Sequence, residues 1–315
     1  MLINILLFLV GLLFLYTGAT WVVKGGSTLA VLLGVRPLLV GITVVAFATS
    51  TPELIVSVIA SLKGSSDLAL GNIVGSNIAN IGLILGLSGL LMPLHINISF
   101  LRKELPILIA VSLLFYVLSL DLNIGLTDGF ILLTVFTLFI VFAFITARKE
   151  GNSGLAPPLP RLERGRIGGK AKILLAILAG MGALFVGGEL LIRASISMAK
   201  EFGISEIIIG LTLVSLGSSL PELATAIVAS LQKENDICIG NLIGSNIFNI
   251  LFVGGLAAVV SPINVAKEQL TFYLPVMLVY TVSMMPLMKT GLVLKRWEGA
   301  LLLATYVGFL IYLIG

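Results

Sequence analysis

The sequence holds one cysteine, Cys238, and one histidine, His95, in 315 residues. A single thiol closes no disulfide within the chain, and it rules out metal–thiolate chemistry. No His or Cys constellation is present to run an enzyme, and His95, near the end of an apolar run, reads as structural or interfacial. Charge is scarce too: Asp, Glu, Lys and Arg make up 11% of the chain, against roughly 25% in soluble domains. No G-x-x-x-x-G-K-[ST] run occurs, so no nucleotide site of that kind is expected and any work must draw on gradients. No cofactor, nucleic acid or obligatory protein partner is expected.

Apolar residues are abundant instead, at 58%. Runs of about 20 residues, the length that crosses hydrocarbon, fall at 2–23, 37–62, 68–92, 104–120 and 126–147, and again at 170–192, 206–231, 237–260, 268–287 and 293–314. A bilayer accepts helices or closed barrels, and barrel alternation is missing. The expected fold class is therefore all-α integral membrane, with ten transmembrane helices and the lipid bilayer as partner. The first run lacks a basic leader and is too long for a signal peptide, so it reads as a retained span.

The chain also repeats itself. Ala46-Phe47-Ala48-Thr49-Ser50-Thr51-Pro52-Glu53-Leu54 returns as Ser215-Leu216-Gly217-Ser218-Ser219-Leu220-Pro221-Glu222-Leu223. Gly71-Asn72-Ile73-Val74-Gly75-Ser76-Asn77-Ile78-Ala79-Asn80 returns as Gly240-Asn241-Leu242-Ile243-Gly244-Ser245-Asn246-Ile247-Phe248-Asn249. The offset is a constant 169 residues and extends to Gly18/Gly187 and Pro93/Pro262. Such self-similarity marks a duplicated unit: 1–147 as a first five-helix repeat, 148–169 as a Pro- and Arg-containing linker, and 170–315 as a second repeat. On this topology fifteen of the nineteen Lys and Arg fall on one side, and Lys63, Arg193, Lys200 and Lys267 on the other. The basic side reads as cytoplasmic, which puts both termini outside a plasma membrane. Five spans per repeat is odd, so the second repeat enters inverted, and inverted repeats place substrate near the midplane on interrupted helices.

Pro52 and Pro221 lie mid-span and loosen the backbone around 46–48 and 215–217. Thr49, Ser50 and Glu53 share a helix face, as do Ser218, Ser219 and Glu222. Asn72, Ser76 and Asn80 form a polar stripe on the next span, with Asn241, Ser245 and Asn249 as its twin. The pooled ligands are carboxylate, hydroxyl, amide and carbonyl oxygens, a set that suits Ca2+, Na+ or Mg2+ rather than Zn2+ or Cu. A mid-membrane acidic residue costs on the order of 2.5–3.5 kcal/mol, and a bound cation offsets two such costs. Gly71, Gly75, Asn77 and Asn246 read as helix–helix packing residues. Glu189 reads as an ion-pair partner of Arg193 four residues on, and Asp67 and Asp236 as N-caps.

These motifs, Thr-Ser-x-Pro-Glu with Gly-Ser-Asn-x-x-Asn in both halves, resemble the cation/Ca2+ antiporter superfamily, closest to the Na+/Ca2+ exchangers of prokaryotes, over essentially the whole chain. The resemblance implies cation coordination by Thr49, Ser50, Glu53, Ser76 and Asn80, and by Ser218, Ser219, Glu222, Ser245 and Asn249, with main-chain carbonyls of Ala46 and Ser215. It also implies that spans one and six slide past this core as the gating pair. Some relatives, the potassium-coupled ones among them, carry Asp where this chain has Asn249, which leaves ion preference open. The expected function is exchange of Na+ for Ca2+ by alternating access. H+/Ca2+ exchange on the same scaffold is the near alternative and a cation channel the distant one.

Overall fold

The computed structural model describes residues 2–152, 167–201 and 215–314. The linker residues 153–166 and the start of the span expected at 206–231 lie outside the described residues. Thirteen helices and four two-residue strands follow one another along the described chain. Helix α1 is Leu2–Leu33. A broken pair follows, α2 at Pro37–Thr49 and α3 at Thr51–Leu62, bent by 48°. Then come α4 (Ser66–Leu91), β1 (Leu94–His95), α5 (Ile98–Arg102), α6 (Glu104–Leu118), β2 (Asn123–Ile124) and α7 (Leu126–Asn152). The second half contains α8 (Ile167–Glu201), α9 (Ser215–Gly217), α10 (Leu220–Leu231), α11 (Asn235–Val260), β3 (Ile263–Asn264), α12 (Gln269–Lys289), β4 (Val293–Leu294) and α13 (Arg296–Ile314).

The molecule is an all-helical membrane protein. Six of these helices are long and apolar enough to cross a bilayer, and the bent pair α2–α3 makes a seventh if counted as one span. Of the three expected spans outside that count, α13 is 19 residues long, and the other two are short for a local physical cause. At 15 residues α6 is shorter than hydrocarbon is thick, and α10 has only 12 residues because the chain breaks in front of it. The proline-containing run 37–62 is likewise two helices rather than one. Pro52 sits in the first turn of α3, where its missing N–H costs nothing.

Burial sorts the helices into core and wall. In the span windows of α4 and α11, 78% of residues are buried, against 22–28% in α1, α7, α8 and α12. The wall helices expose Leu, Ile, Phe and Val to the bilayer, and the core pair carries the polar stripes. Glycines let backbones touch. A Cβ on Gly18 would stand 2.7 Å from the Gly180 carbonyl oxygen, and one on Gly187 would stand 2.8 Å from the Leu15 nitrogen. Residue numbers fall along α8 as they rise along α1, so these repeat-related helices run antiparallel. Gly240 and Gly244 of α11 press on Leu38 and Ile42 of α2, with numbers rising together, so that pair runs parallel.

The strands tie the halves together crosswise. Leu94 pairs with Leu294 and His95 with Val293, while Asn123 pairs with Asn264 and Ile124 with Ile263, both antiparallel. His95 is exposed in β1, a connecting position. Glu189 and Arg193 form the expected i, i+4 ion pair on the surface of α8. The expected aspartate caps do not form. Ser65 and Glu234 occupy the N-cap positions, neither making a side-chain capping bond, and Asp67 lies within the first turn. There it accepts a hydrogen bond from Gln269 Nε2 at 3.1 Å. A buried amide on a facing helix outcompetes the local cap.

Candidate cation site

Both breaks come just before a glutamate. Ser50 and Ser219 leave helical geometry at nearly the same angles, φ −85°, ψ 9° and φ −88°, ψ 9°. The proline two residues later cannot continue the previous helix, so each serine closes one segment and opens the next. Glu53 and Glu222 therefore stand in the first turn of α3 and α10, near the positive end of a helix dipole. Both are fully buried.

The breaks aim each half at the other. Ser50 Oγ donates to Glu222 Oε1 at 2.8 Å, and Ser219 Oγ donates to Glu53 Oε1 at 3.0 Å. Thr49 Oγ1 donates to Asn241 Oδ1 at 3.0 Å, and Ser218 Oγ donates to Asn72 Oδ1 at 3.4 Å. In both exchanges residue i of one half meets residue j of the other and the reverse, the signature of a two-fold relation between halves. Each carboxylate has its first oxygen bonded across the repeat boundary and its second, Oε2, buried with no hydrogen-bond partner.

Two of the four widened turns among the described residues complete the frame, the others lying at Gly41–Val45 and Gln269–Tyr273. Backbone bonding switches to the π-helical pattern at Asn80–Leu85 in α4 and at Asn249–Val253 in α11. Asn80 and Asn249 open these segments, a kind of distortion that recurs at functional sites. Asn80 Nδ2 donates to Asn246 Oδ1 at 2.9 Å, which leaves Asn80 Oδ1 unpartnered. Neither amide atom of Asn249 has a partner, though the residue is fully buried.

The remaining candidates take these places. Thr49 Oγ1 also lies 3.4 Å from Ser245 Oγ, and Ser245 and Ser76 are buried on α11 and α4. The Ala46 carbonyl accepts from Ser50 N at 3.0 Å and lies 3.3 Å from Thr49 Oγ1, the longer of two alternatives for that single hydroxyl hydrogen, so it is engaged within the break. Ser215 opens α9. Four asparagines outside the expected ligand set also belong here. Asn72 donates to Ser57 Oγ at 2.8 Å and to the Glu53 carbonyl oxygen at 3.1 Å, which braces α3 beside its glutamate. Asn241 and Asn246 accept from Thr49 and Asn80, and Asn77 is buried one residue after Ser76. Their spacing with Ser76 and Ser245 was the available signal, but helix packing in a membrane uses the same residues.

The buried unpartnered acceptors include two carboxylate oxygens and the Oδ1 atoms of Asn80 and Asn249. Leaving a buried acceptor unpaired costs about 1–3 kcal/mol, more for a charged one. Two carboxylates, each linked to the other's helix by a single serine, form an all-oxygen centre of formal charge −2 when ionised. Such a centre binds hard cations.

The family model described as sodium/calcium exchanger protein matches residues 3–145 and 172–315. The sodium/calcium exchanger MaX1 of Methanosarcina acetivorans is 34% identical, over 99% of this chain and 98% of its own. The Ca(2+)/H(+) antiporter ChaA of Bacillus subtilis is 28% identical, over 81% of this chain and 77% of its own. A solved structure of the sodium-calcium exchanger NCX_Mj, soaked with zero Na+ and Ca2+, has a TM-score of 0.85 at 27% identity and covers 99% of both chains.

Proposed function

The chain belongs to the sodium/calcium exchanger family, and on that premise we propose that it is a secondary antiporter letting Na+ in to expel Ca2+. The observation that carries this reading is the reciprocal pair, Ser50 on Glu222 and Ser219 on Glu53, each leaving one carboxylate oxygen free for a cation. One Ca2+ neutralises two carboxylates, and so do two Na+. The ions are close in radius, so both fit a flexible oxygen cage. Competition for one site, with access alternating between the two faces, is then sufficient for exchange. Thr49, Ser50, Glu53, Ser76, Asn80, Ser218, Ser219, Glu222, Ser245 and Asn249 are the proposed ligands, with the carbonyls of Ala46 and Ser215.

The proposed scaffold has ten transmembrane helices in two inverted repeats, 1–147 and 170–315, joined by a cytoplasmic linker at 148–169. Its support is directional. Repeat-related α1 and α8 run antiparallel, as inversion requires. Cross-half bonds also join connections that ten spans put on the same face. Ser27 donates to Glu234 Oε1 at 3.1 Å and β1 pairs with β4 on the basic face. Asn264 N donates to Ser66 Oγ at 3.1 Å and β2 pairs with β3 on the other. The Lys and Arg excess makes the first face cytoplasmic and puts both termini outside the plasma membrane.

A second reading, Ca2+/H+ exchange, is favoured by the similarity to ChaA and by the ability of glutamates to carry protons. A channel tends to place its filter on an axis between subunits, whereas here one chain supplies both halves of the site. Vesicle transport separates the readings: Ca2+ uptake is followed under an outward Na+ gradient, an outward H+ gradient, or neither. Uptake is expected with Na+ alone as driver. Glu53→Gln and Glu222→Gln, which keep shape and remove one charge, are each expected to lower it by orders of magnitude while the protein still inserts. Near-normal flux in both variants would refute the site. Uptake driven only by H+ would transfer the reading to proton exchange.

A further inference from the structure

We propose that Asn246 and Asn77 are positioning residues for the cation: each accepts the Nδ2 hydrogen of the opposite half's site amide, Asn80 or Asn249, and so turns that amide's oxygen toward the ion. The proposal rests on the cation-exchange reading above and extends it to two residues that touch no ion themselves.

An amide side chain has two ends, and only one ligates a cation. What fixes the end presented is the partner held by the other. In the first half that partner is visible: Asn80 Nδ2 donates to Asn246 Oδ1 at 2.9 Å, and Asn80 Oδ1 is left buried with no protein donor. The 169-residue offset maps Asn80 to Asn249 and Asn246 to Asn77. The serine–glutamate and hydroxyl–asparagine bonds are both made in each direction across this relation. The bond from Asn249 to Asn77 is not made. Asn249 has both amide atoms unpartnered, and Asn77 Oδ1 is unpartnered too. Asn77 Nδ2 is turned one turn back along its own helix, to the Ile73 carbonyl at 2.7 Å. All four asparagines are at most 1% exposed.

A donor and an acceptor, both buried and unpaired, therefore occupy positions where the two-fold relation expects a bond. A cation that draws Asn249 Oδ1 inward obliges Asn249 Nδ2 to find an acceptor, and Asn77 Oδ1 is the one at the twin position. The Asn80–Asn246 half is preset, and the Asn249–Asn77 half closes as the ion binds. Helix packing alone gives Asn77 no reason to respond to an ion.

The test is a pair of double-mutant cycles on the full chain in detergent, with Ca2+ affinity read from ion-induced shifts in unfolding temperature. The variants are Asn77→Ala, Asn249→Ala and their double, beside Asn246→Ala, Asn80→Ala and theirs. Each single change is expected to weaken Ca2+ binding on the order of tenfold, with each double no weaker than its worse single. The ion-free unfolding temperature of Asn77→Ala is expected to fall by a few degrees, because the bond to the Ile73 carbonyl is lost, and the Ca2+-induced shift is expected to fall as well. Asn77→Val, nearer in volume and lacking the acceptor, replaces Asn77→Ala if that variant fails to fold. Multiplying effects at 77 and 249, an unchanged affinity in Asn77→Ala, or a lowered ion-free unfolding temperature with affinity intact would each overturn the proposal. If wild type shifts with neither Ca2+ nor Na+, the exchange reading fails and this proposal with it. If wild type shifts, Glu53→Gln abolishes the shift and residues 77 and 249 act independently, the exchange reading stands and the pairing alone falls.

Discussion

Asn249 is the one proposed ligand with both side-chain atoms buried and free of hydrogen bonds. It is a neutral amide, so formal charge at the site comes from Glu53 and Glu222 alone. A further cation carried with Ca2+ adds positive charge that a carboxylate at this position can balance in a low-dielectric interior, and an amide cannot. Exchange by this chain is therefore expected not to require K+. Na+-driven Ca2+ uptake should persist with choline replacing K+ on both sides at clamped voltage, and Asn249→Asp should shift ion preference or add pH sensitivity. Loss of uptake without K+ would mean a balancing carboxylate is supplied elsewhere. At this scale the glutamates were legible because a mid-span acid is costly and these recur at a fixed offset. Asn72 and Asn241 stood out in the polar stripes, but Asn77 and Asn246 did not, because asparagine on a membrane helix serves packing as readily as ligation and only partner distances tell the two apart.

Among the helices, α4 and α11 share a glycine pattern and use it differently. A Cβ on Gly244 would stand 2.4 Å from the Ile42 carbonyl oxygen and 2.7 Å from Ala46 Cβ, whereas one on Gly75 would meet nothing within 4 Å. Gly244→Ala is expected to destabilise by about 1–3 kcal/mol, as overpacking does. Gly75→Ala should be neutral or stabilising by up to about 1 kcal/mol, because alanine is the better helix former. Thermal unfolding of the two variants in detergent checks the contrast, and equal losses would contradict the packing described. The breaks at Ser50 and Ser219 were readable from the prolines. The widened turns at Asn80 and Asn249 were not, since no residue type marks a helix that gains one residue per turn. Asp67 was not readable as an inter-helix acceptor because a helix start and a facing amide compete for the same carboxylate, and only the fold places Gln269 opposite it.

For the whole molecule, duplication was the most legible property, because an unbroken register over both motifs leaves little else to infer. The crosswise strands escaped notice, since two residues carry no periodic signal. The proposed topology predicts that cysteines placed at positions 1 and 315, in a Cys238→Ala background, react with an impermeant maleimide from outside intact cells. Labelling only from the cytoplasmic side would overturn the orientation.

The reciprocal serine–glutamate bonds have a consequence for ancestry. Each half holds its carboxylate with a hydroxyl that belongs to the other, so neither half carries a finished site. A surface in which i meets j and j meets i is self-complementary. One half could therefore complete the same oxygen cage by pairing with a second copy of itself lying upside down in the bilayer. That assembly would need a polypeptide able to insert both ways up, with no strong excess of Lys and Arg at either end. Fusing two copies into one chain lifts that restriction: the charges of each half become free to fix its orientation, and the two carboxylates become free to diverge.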